Sequence, residues 1–223
     1  MPNDTECLLT LSVTIGISLS VKREEKKGRT RAELSAAAHE LFAEVGFDSA
    51  TADAIADRAG VSRRTFFRYF ETKEAVFFAD DEARFARFER ELAERSKDET
   101  AFAAVRRLLL ELAGELMLDR KRARLHHRLL ASSKSLSAHD LELDMRWEAA
   151  IAEALAKDPR SAAAALLPAP LGAKMMAGAI MGVVRAGLRD WFEGGARGDL
   201  VERAQFAFQA LENGFRPAST GRA

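Results

Sequence analysis

The stretch TADAIADRAGVSRRTFFRYFETK, residues 51–73, decides the reading of this chain. Thr51 is a good helix N-cap, because its hydroxyl can accept from an otherwise orphaned first-turn amide. Asp53 places a carboxylate where the helix dipole is positive. Ile55, Ala56 and Ala59 form a small apolar face that another helix can approach closely. Gly60 ends this helix, Val61 plugs the turn, and Ser62 caps a second helix over 62–69. That second helix is divided in character. Phe66, Phe67 and Phe70 are aromatic, whereas Arg63, Arg64 and Arg68 are basic.

Between 62 and 73, Arg63, Arg64, Arg68 and Lys73 stand against a single carboxylate, Glu71. A short helix with a cationic exposed face fits the DNA major groove, where arginine reaches base edges or phosphates. The helix N-terminal amides, led by Ser62, can accept a phosphate as well. The ordinary alternative is a solvated basic helix over an aromatic core. Charge and spacing alone leave both readings open.

Upstream, Leu34, Ala38, Leu41, Phe42 and Val45 share one face and predict a helix over 31–45, closed by Gly46. The segment KREEKKGRTR, residues 22–31, is a charged lead-in: either a solvated tail or a basic arm that reaches the DNA backbone through residues such as Arg29 and Arg31. LLTLSVTIGISLSV, residues 8–21, is apolar and β-branched. It is shorter than the ~20 apolar residues a membrane span needs. Asp4 and Glu6 stand where a signal peptide would be basic. Residues 1–27 are therefore read as a disordered extension of the fold.

Composition sets the outer limits. The chain has 223 residues, 48% of them hydrophobic and 30% charged, with a formal net charge of zero. Ala, Leu, Glu and Arg dominate, which favours an all-α protein. A nucleic-acid surface on a neutral chain has to be a local patch. Cys7 is the single cysteine, so one chain forms no disulfide or cysteine metal site. His126 and His127 are adjacent, and neighbours on a helix point about 100° apart, so they do not chelate one ion together. There is no phosphate-binding glycine loop, nucleophile elbow or His-Glu-x-x-His, and we expect no catalytic residue, metal or cofactor.

Downstream, helical periodicity predicts helices over 72–95, 100–118, 120–131, 138–156, 171–192 and 200–215. The first carries alternating charges, and reads as a mostly solvated helix with an inner stripe of Val76, Phe77, Phe85, Phe88 and Leu92. A proline-broken connector lies at 162–170. Helix 171–192 is apolar, but Lys174, Arg185, Arg189 and Asp190 argue against a membrane span.

The string 51–74 resembles the DNA-binding signature of TetR-family repressors: Thr, Ile-Ala, Ala-Gly-Val-Ser, an aromatic pair and Phe-x-x-Lys-Glu, in that order. With the preceding helix the resemblance covers about residues 28–79. It implies that Thr51, Ser62, Arg63, Arg64, Thr65, Phe67, Tyr69 and Lys73 fall at DNA-facing positions. Lys73 would cap the next helix against phosphate. Arg29, Arg31 and Arg68 join this set as basic neighbours. Two positions depart from the family pattern: Phe67 replaces the usual Tyr, and Arg64 stands where a small residue is common. RLLASSKSLSAHDLELDMRWEAAIAEALAK, beginning at Arg128, resembles the body of an actinobacterial TetR-type subgroup with an acyl-CoA-like ligand domain, as in the regulator of mycofactocin gene clusters.

The resemblance implies a cytoplasmic homodimeric repressor on double-stranded DNA, bearing a palindromic operator and released by a small apolar or acyl-type, acyl-CoA-like inducer. The expected fold is all-α, with about nine helices. A three-helix helix-turn-helix domain spans 28–75, and a helical ligand-binding and dimerisation bundle spans 76–216, with a tail at 217–223. Dimer contacts are expected along 171–192 and 200–215, from Met181, Val184, Leu188, Phe206, Ala210 and Leu211, helped by small residues such as Gly178 and Gly182. Candidate ligand contacts are Phe102, Leu109, Met117, Leu129, Met145, Trp147, Met175, Ile180 and Met181. Arg124, Arg128 or Arg185 are candidates for a phosphate or thioester end. The rival readings are an activator, a helical small-molecule-binding module without DNA function, or an enzyme built on a helical bundle.

Overall fold

The structure, a computed structural model, describes residues 26–160 and 169–213. The expectations for 1–21, for most of the connector at 162–170 and for the tail at 217–223 lie outside the described residues. Every regular element among the described residues is an α-helix. The chain divides into two compact units between Ala79 and Asp80.

The first unit contains α1 (26–45), α2 (Ala52–Arg58), α3 (Arg63–Tyr69) and α4 (Lys73–Phe77). Each short helix starts on a hydroxyl cap: Thr51 accepts from the Ala54 amide, Ser62 from Thr65 and Thr72 from Ala75. Such caps contribute about 1 kcal/mol each and let helices of five to seven residues persist. Gly60 turns the chain from α2 toward α3 at φ 66°, a left-handed conformation that other residues rarely adopt. Leu34, Ala38, Phe42, Phe47, Ile55, Phe66 and Phe77 are buried in this unit. Phe42, Phe47 and Phe77 meet in tilted and edge-on pairs with centroids 5.1–5.8 Å apart.

One helix was expected over 72–95, and the structure breaks it at Phe78 (φ −86°, ψ 7°). Val76, Phe77 and Phe78 are all buried, at 0–1% exposure. Three consecutive residues of a straight helix point about 100° apart and cannot share one buried face. The helix therefore stops at Phe77, and α5 (Ala79–Ala93) is a separate element.

The second unit comprises α5 from Asp80, α6 (Ala101–Leu118), α7 (Arg120–Ser132), α8 (Lys134–Lys157), α9 (Ala169–Glu193) and α10 (Leu200–Asn213). With the extra break there are ten described helices, against nine expected. The helix expected over 138–156 starts a turn earlier. Leu136 is fully buried, and the Ser137 hydroxyl donates to the carbonyls of Leu130 and Ser133. The polar run KSLS had concealed that turn.

In this unit α9 packs between α8 and α10, α10 also against α6, and α7 against α8. The main core joins Phe88, Leu108, Ile151, Ala177, Ile180 and Phe208, and a second cluster surrounds Trp191. Each fully buried large side chain contributes about 1.5–3 kcal/mol. Asp158 is buried at the start of α6. Its carboxylate accepts from the Ala101 amide at 2.7 Å and from Arg160, while Arg160 donates to the carbonyls of Lys97 and Glu99. By length and composition Pro170–Glu193 would be able to cross a membrane, although it carries Lys174, Arg185, Arg189 and Asp190.

Candidate functional site

The first unit presents α3 as a short exposed helix on an aromatic base. Phe66 is fully buried, and Phe67 stands edge-on to it at 5.2 Å, itself 42% exposed. Arg63 and Phe67, and Arg64 and Arg68, are each four residues apart, so they form two adjacent rows on the solvent side. Arg63 is committed locally: its Nη1 donates to Asp53 Oδ2 at 2.8 Å, and its guanidinium lies 5.4 Å from the Phe67 ring centre. Arg68 stacks over Tyr69 at 5.2 Å. Arg64 has no hydrogen bond, ion pair or ring contact among the described residues, and its cation is available to an incoming anion.

The remaining expected DNA-facing residues divide between exposed groups and groups that shape the unit. Thr51 and Ser62 use their hydroxyl oxygens on helix caps, and the Thr65 hydroxyl is 3.0 Å from that of Ser62. Arg29 is exposed and within 3.8 Å of Glu33. Arg31 lies over Phe70 at 4.5 Å and donates to the Tyr69 carbonyl at 3.4 Å. Lys73 departs from the expected phosphate cap. Its ammonium donates to the carbonyls of Phe47, Asp48 and Ala50 at 2.9–3.2 Å and sits 4.4 Å from the Phe47 ring centre. An ammonium has three donors, and all three are used in tying the α1–α2 turn to α4.

The second unit holds a half-open cavity of about 240 Å³. Single helical stripes line it: Leu109, Leu112, Ala113 and Leu116 from α6; Asp140, Leu143, Asp144 and Trp147 from α8; Met181, Val184, Gly187 and Leu188 from α9. Leu200, Arg203, Ala204, Ala207 and Phe208 of α10 and Asp81 and Arg84 of α5 complete the wall.

Of the expected ligand contacts, Leu109, Trp147 and Met181 line this cavity. Ile180 points into the fully buried core, and Phe102 packs edge-on against Phe208 in that core. Met117 belongs to the Trp191 cluster, and Leu129 is buried away from the cavity. Met145 and Met175 are 65% and 59% exposed. Arg124 and Arg128 are absent from the wall. Methionine and aromatic residues at helical spacing reveal burial, but not which side of a helix borders a void. Arg84 was expected on the solvated face of the helix over 72–95, and Asp140, Asp144 and Arg203 carried no expectation. The available signal was the stripe Asp140-Leu143-Asp144-Trp147, in which carboxylates share a helix face with bulky apolar groups.

Burial pushes Asp81 up to about 6, with Arg84 opposing and Asp80 reinforcing. Burial also pushes Asp140 up to about 6, helped by the nearby carboxylates of Asp144 and Asp81. Asp140 keeps an open face, so solvent screens part of this effect. Both wall arginines are taken. Arg84 pairs with Asp81 at 3.1 Å and lies 3.7 Å from Glu115, and Arg203 pairs with Asp190.

An arginine-bearing helix on a capped three-helix support, followed by a separate helical unit with an apolar cavity, defines a helix-turn-helix regulator. The chain belongs to the TetR family of bacterial regulatory proteins, whose N-terminal domain matches residues 34–79, and its C-terminal domain is of the MftR type, matching 99–216. It is 30% identical over 142 residues to a Mycobacterium tuberculosis protein described as the mycofactocin biosynthesis transcriptional regulator MftR, covering 60% of this chain and 70% of that one. The fold is similar to that of SmeT, a Stenotrophomonas maltophilia efflux-pump repressor, in its triclosan complex (TM-score 0.65, 20% identity, 87% of this chain and 98% of that one). It is also similar to Thermus thermophilus FadR in complex with lauroyl-CoA (TM-score 0.57, 23% identity, 86% and 98%).

Proposed function

We propose that the protein is a cytoplasmic homodimeric transcriptional repressor that binds a palindromic operator through α3 and is released by a small apolar or acyl-type ligand. The observation that carries this reading is the state of the α3 cations. Arg64 is unengaged and Arg68 is held only by a ring contact, while Asp53 fixes Arg63 across the turn. Pre-placed cations on a rigid short helix suit a groove lined by phosphates and base acceptors. Family membership supports DNA as the polyanion.

Dimerisation is supported by what remains uncovered. Leu171, Met175, Ala179, Gly182 and Ala186 recur every three or four residues on the open side of α9, and a Cβ on Gly182 would meet nothing within 4 Å. Phe206 of α10 is 71% exposed. Met181, Val184, Leu188 and Leu211, expected at the interface, turn inward to the cavity and core. A two-fold pairing would bury the open stripe and present two α3 helices to successive half-sites. Ligand would act through α5, which supplies Asp81 and Arg84 to the cavity and continues directly from α4. Release then requires that ligand bind the DNA-incompetent state more tightly.

An electrophoretic shift assay with the DNA upstream of the protein's own gene tests the reading. Binding by wild type and its loss in Arg63→Ala/Arg64→Ala are expected. A double variant that binds as well as wild type overturns it.

A further inference from the structure

Helix α7 carries its charge against its own stability. Arg120–Ser132 contains Arg120, Lys121, Arg122, Arg124 and Arg128 and no carboxylate, in a chain whose formal net charge is zero. Two of these cations are engaged inside the second unit: Arg120 donates to the Ala196 carbonyl at 3.2 Å, and Arg122 pairs with Asp80. Lys121, Arg124 and Arg128 are exposed and have no hydrogen bond, ion pair or ring contact among the described residues. Helical period places these three within about 60° of one another. They form one row, on the side of α7 opposite the buried Ala123 and Leu129. The row is separate from the cavity, whose wall includes none of the three.

The row works against the helix that bears it. Lys121 and Arg124, and Arg124 and Arg128, are like charges three and four residues apart, where they repel. Lys121 also stands in the first turn, where the helix dipole is positive and no acidic residue offsets it. Asp119 caps α7, but through the Arg122 amide. Side chains that oppose their own element are expected where an outside partner holds them.

The partner that fits is a polyanion. Lys121 to Arg128 spans about 10 Å of helix. Phosphates on one DNA strand recur about every 3.4 Å of duplex axis, so the row is as long as three of them. Its place in the chain favours DNA. Arg122 and His126 hold α7 to Asp80 and Asp81, the latter at 3.4 Å, and Asp80 directly follows the last residue of the first unit. Duplex bound by the first unit is thereby kept at high effective concentration for α7. A membrane surface would call for apolar side chains between the cations. Leu125, the apolar residue among them, is half-buried.

We propose that Lys121, Arg124 and Arg128 form a second, sequence-independent DNA contact on the second unit, made to backbone phosphates. This rests on the reading of the first unit as the operator-binding domain. The α3 cations choose the site, and the α7 row adds affinity on any duplex.

Fluorescence anisotropy of the full chain tests this, with a labelled duplex from upstream of its own gene and a random-sequence duplex of the same length, each over a range of salt. In the triple variant Lys121→Gln/Arg124→Gln/Arg128→Gln, the slope of log affinity against log salt should become shallower by about 2–3 per protomer on both duplexes. The thermal midpoint of that variant should equal or exceed that of wild type, because repulsion within α7 is removed. An unchanged slope, or a lowered midpoint that shows the cations serving the fold, overturns the α7 contact and leaves operator binding through α3 standing. An unchanged slope together with lost binding to phosphatidylcholine–phosphatidylglycerol vesicles overturns it in favour of a membrane surface. Failure of wild type to bind either duplex overturns both readings.

Discussion

His126 Nε2 lies 3.4 Å from Asp81 Oδ2, within ion-pair reach, yet at neutral pH this contact joins an anion to a neutral ring. Burial pushes the imidazole down to about 4, and the charges of Arg84 and Arg122 push it further in the same direction. The same burial holds Asp81 up at about 6. Two neighbours on α5 and α7 therefore titrate in opposite senses beside the cavity.

Their effects on stability oppose each other. Native Asp81 keeps a proton that the unfolded chain has lost between about pH 4 and 6, so its contribution falls as pH rises through that window. Native His126 lacks a proton that the unfolded chain holds between about pH 4 and 6.5, so its contribution rises. Asp81→Asn should leave a rising dependence and His126→Gln a falling one, each up to about 1.4 kcal/mol per pH unit. Urea midpoints at several pH values across this range check it; slopes of the same sign in both variants would contradict it.

Arg64→Ala should weaken operator binding by about 1–3 kcal/mol and by more than Arg63→Ala, because Arg63 is already paired with Asp53. Asp53→Ala should narrow that difference by freeing Arg63. Fluorescence anisotropy on a labelled operator measures all three.

Lys73→Met should destabilise the first unit by about 2–3 kcal/mol, since three carbonyls lose a charged donor. If Lys73 acts by positioning, the slope of log affinity against log salt stays that of wild type. A direct phosphate contact would lower that slope by about one. Thermal unfolding and binding at several salt concentrations separate the two.

Asp158→Asn should cost about 2–3 kcal/mol, because a buried carboxylate joins Ala101 and Arg160. Hydrogen bonds from Arg160 and the Ala101 amide hold its pKa down at about 2. Its stabilisation is present above about pH 4 and is lost as pH falls toward 2. Comparing wild-type and variant unfolding at pH 3 and pH 7 should show the gap closing in acid.

Phe206→Glu should shift the protein toward monomer, because the exposed ring belongs to the proposed two-fold face and not to the protomer core. Sedimentation velocity reads the change, with helical content unaltered.

The local code was legible because it depends on neighbours in sequence. Thr51, Ser62 and Thr72 cap the helices they precede, Gly60 makes the turn, and the alternation of Phe and Arg in 62–70 divides α3 into a buried and an open side. These are short-range effects of hydroxyl reach, backbone φ and helical period. The family signature lies wholly within that stretch. Tertiary packing decided the rest. It interrupted the helix at Phe78, where three consecutive residues are buried, and it committed the Lys73 ammonium to three carbonyls over twenty residues away. It also turned Asp140 toward the cavity while Met145, five residues on, faced solvent. Helical periodicity says which residues share a face. Which face borders a void, and which charge there finds a partner, depends on helices distant in sequence and is set only when they pack.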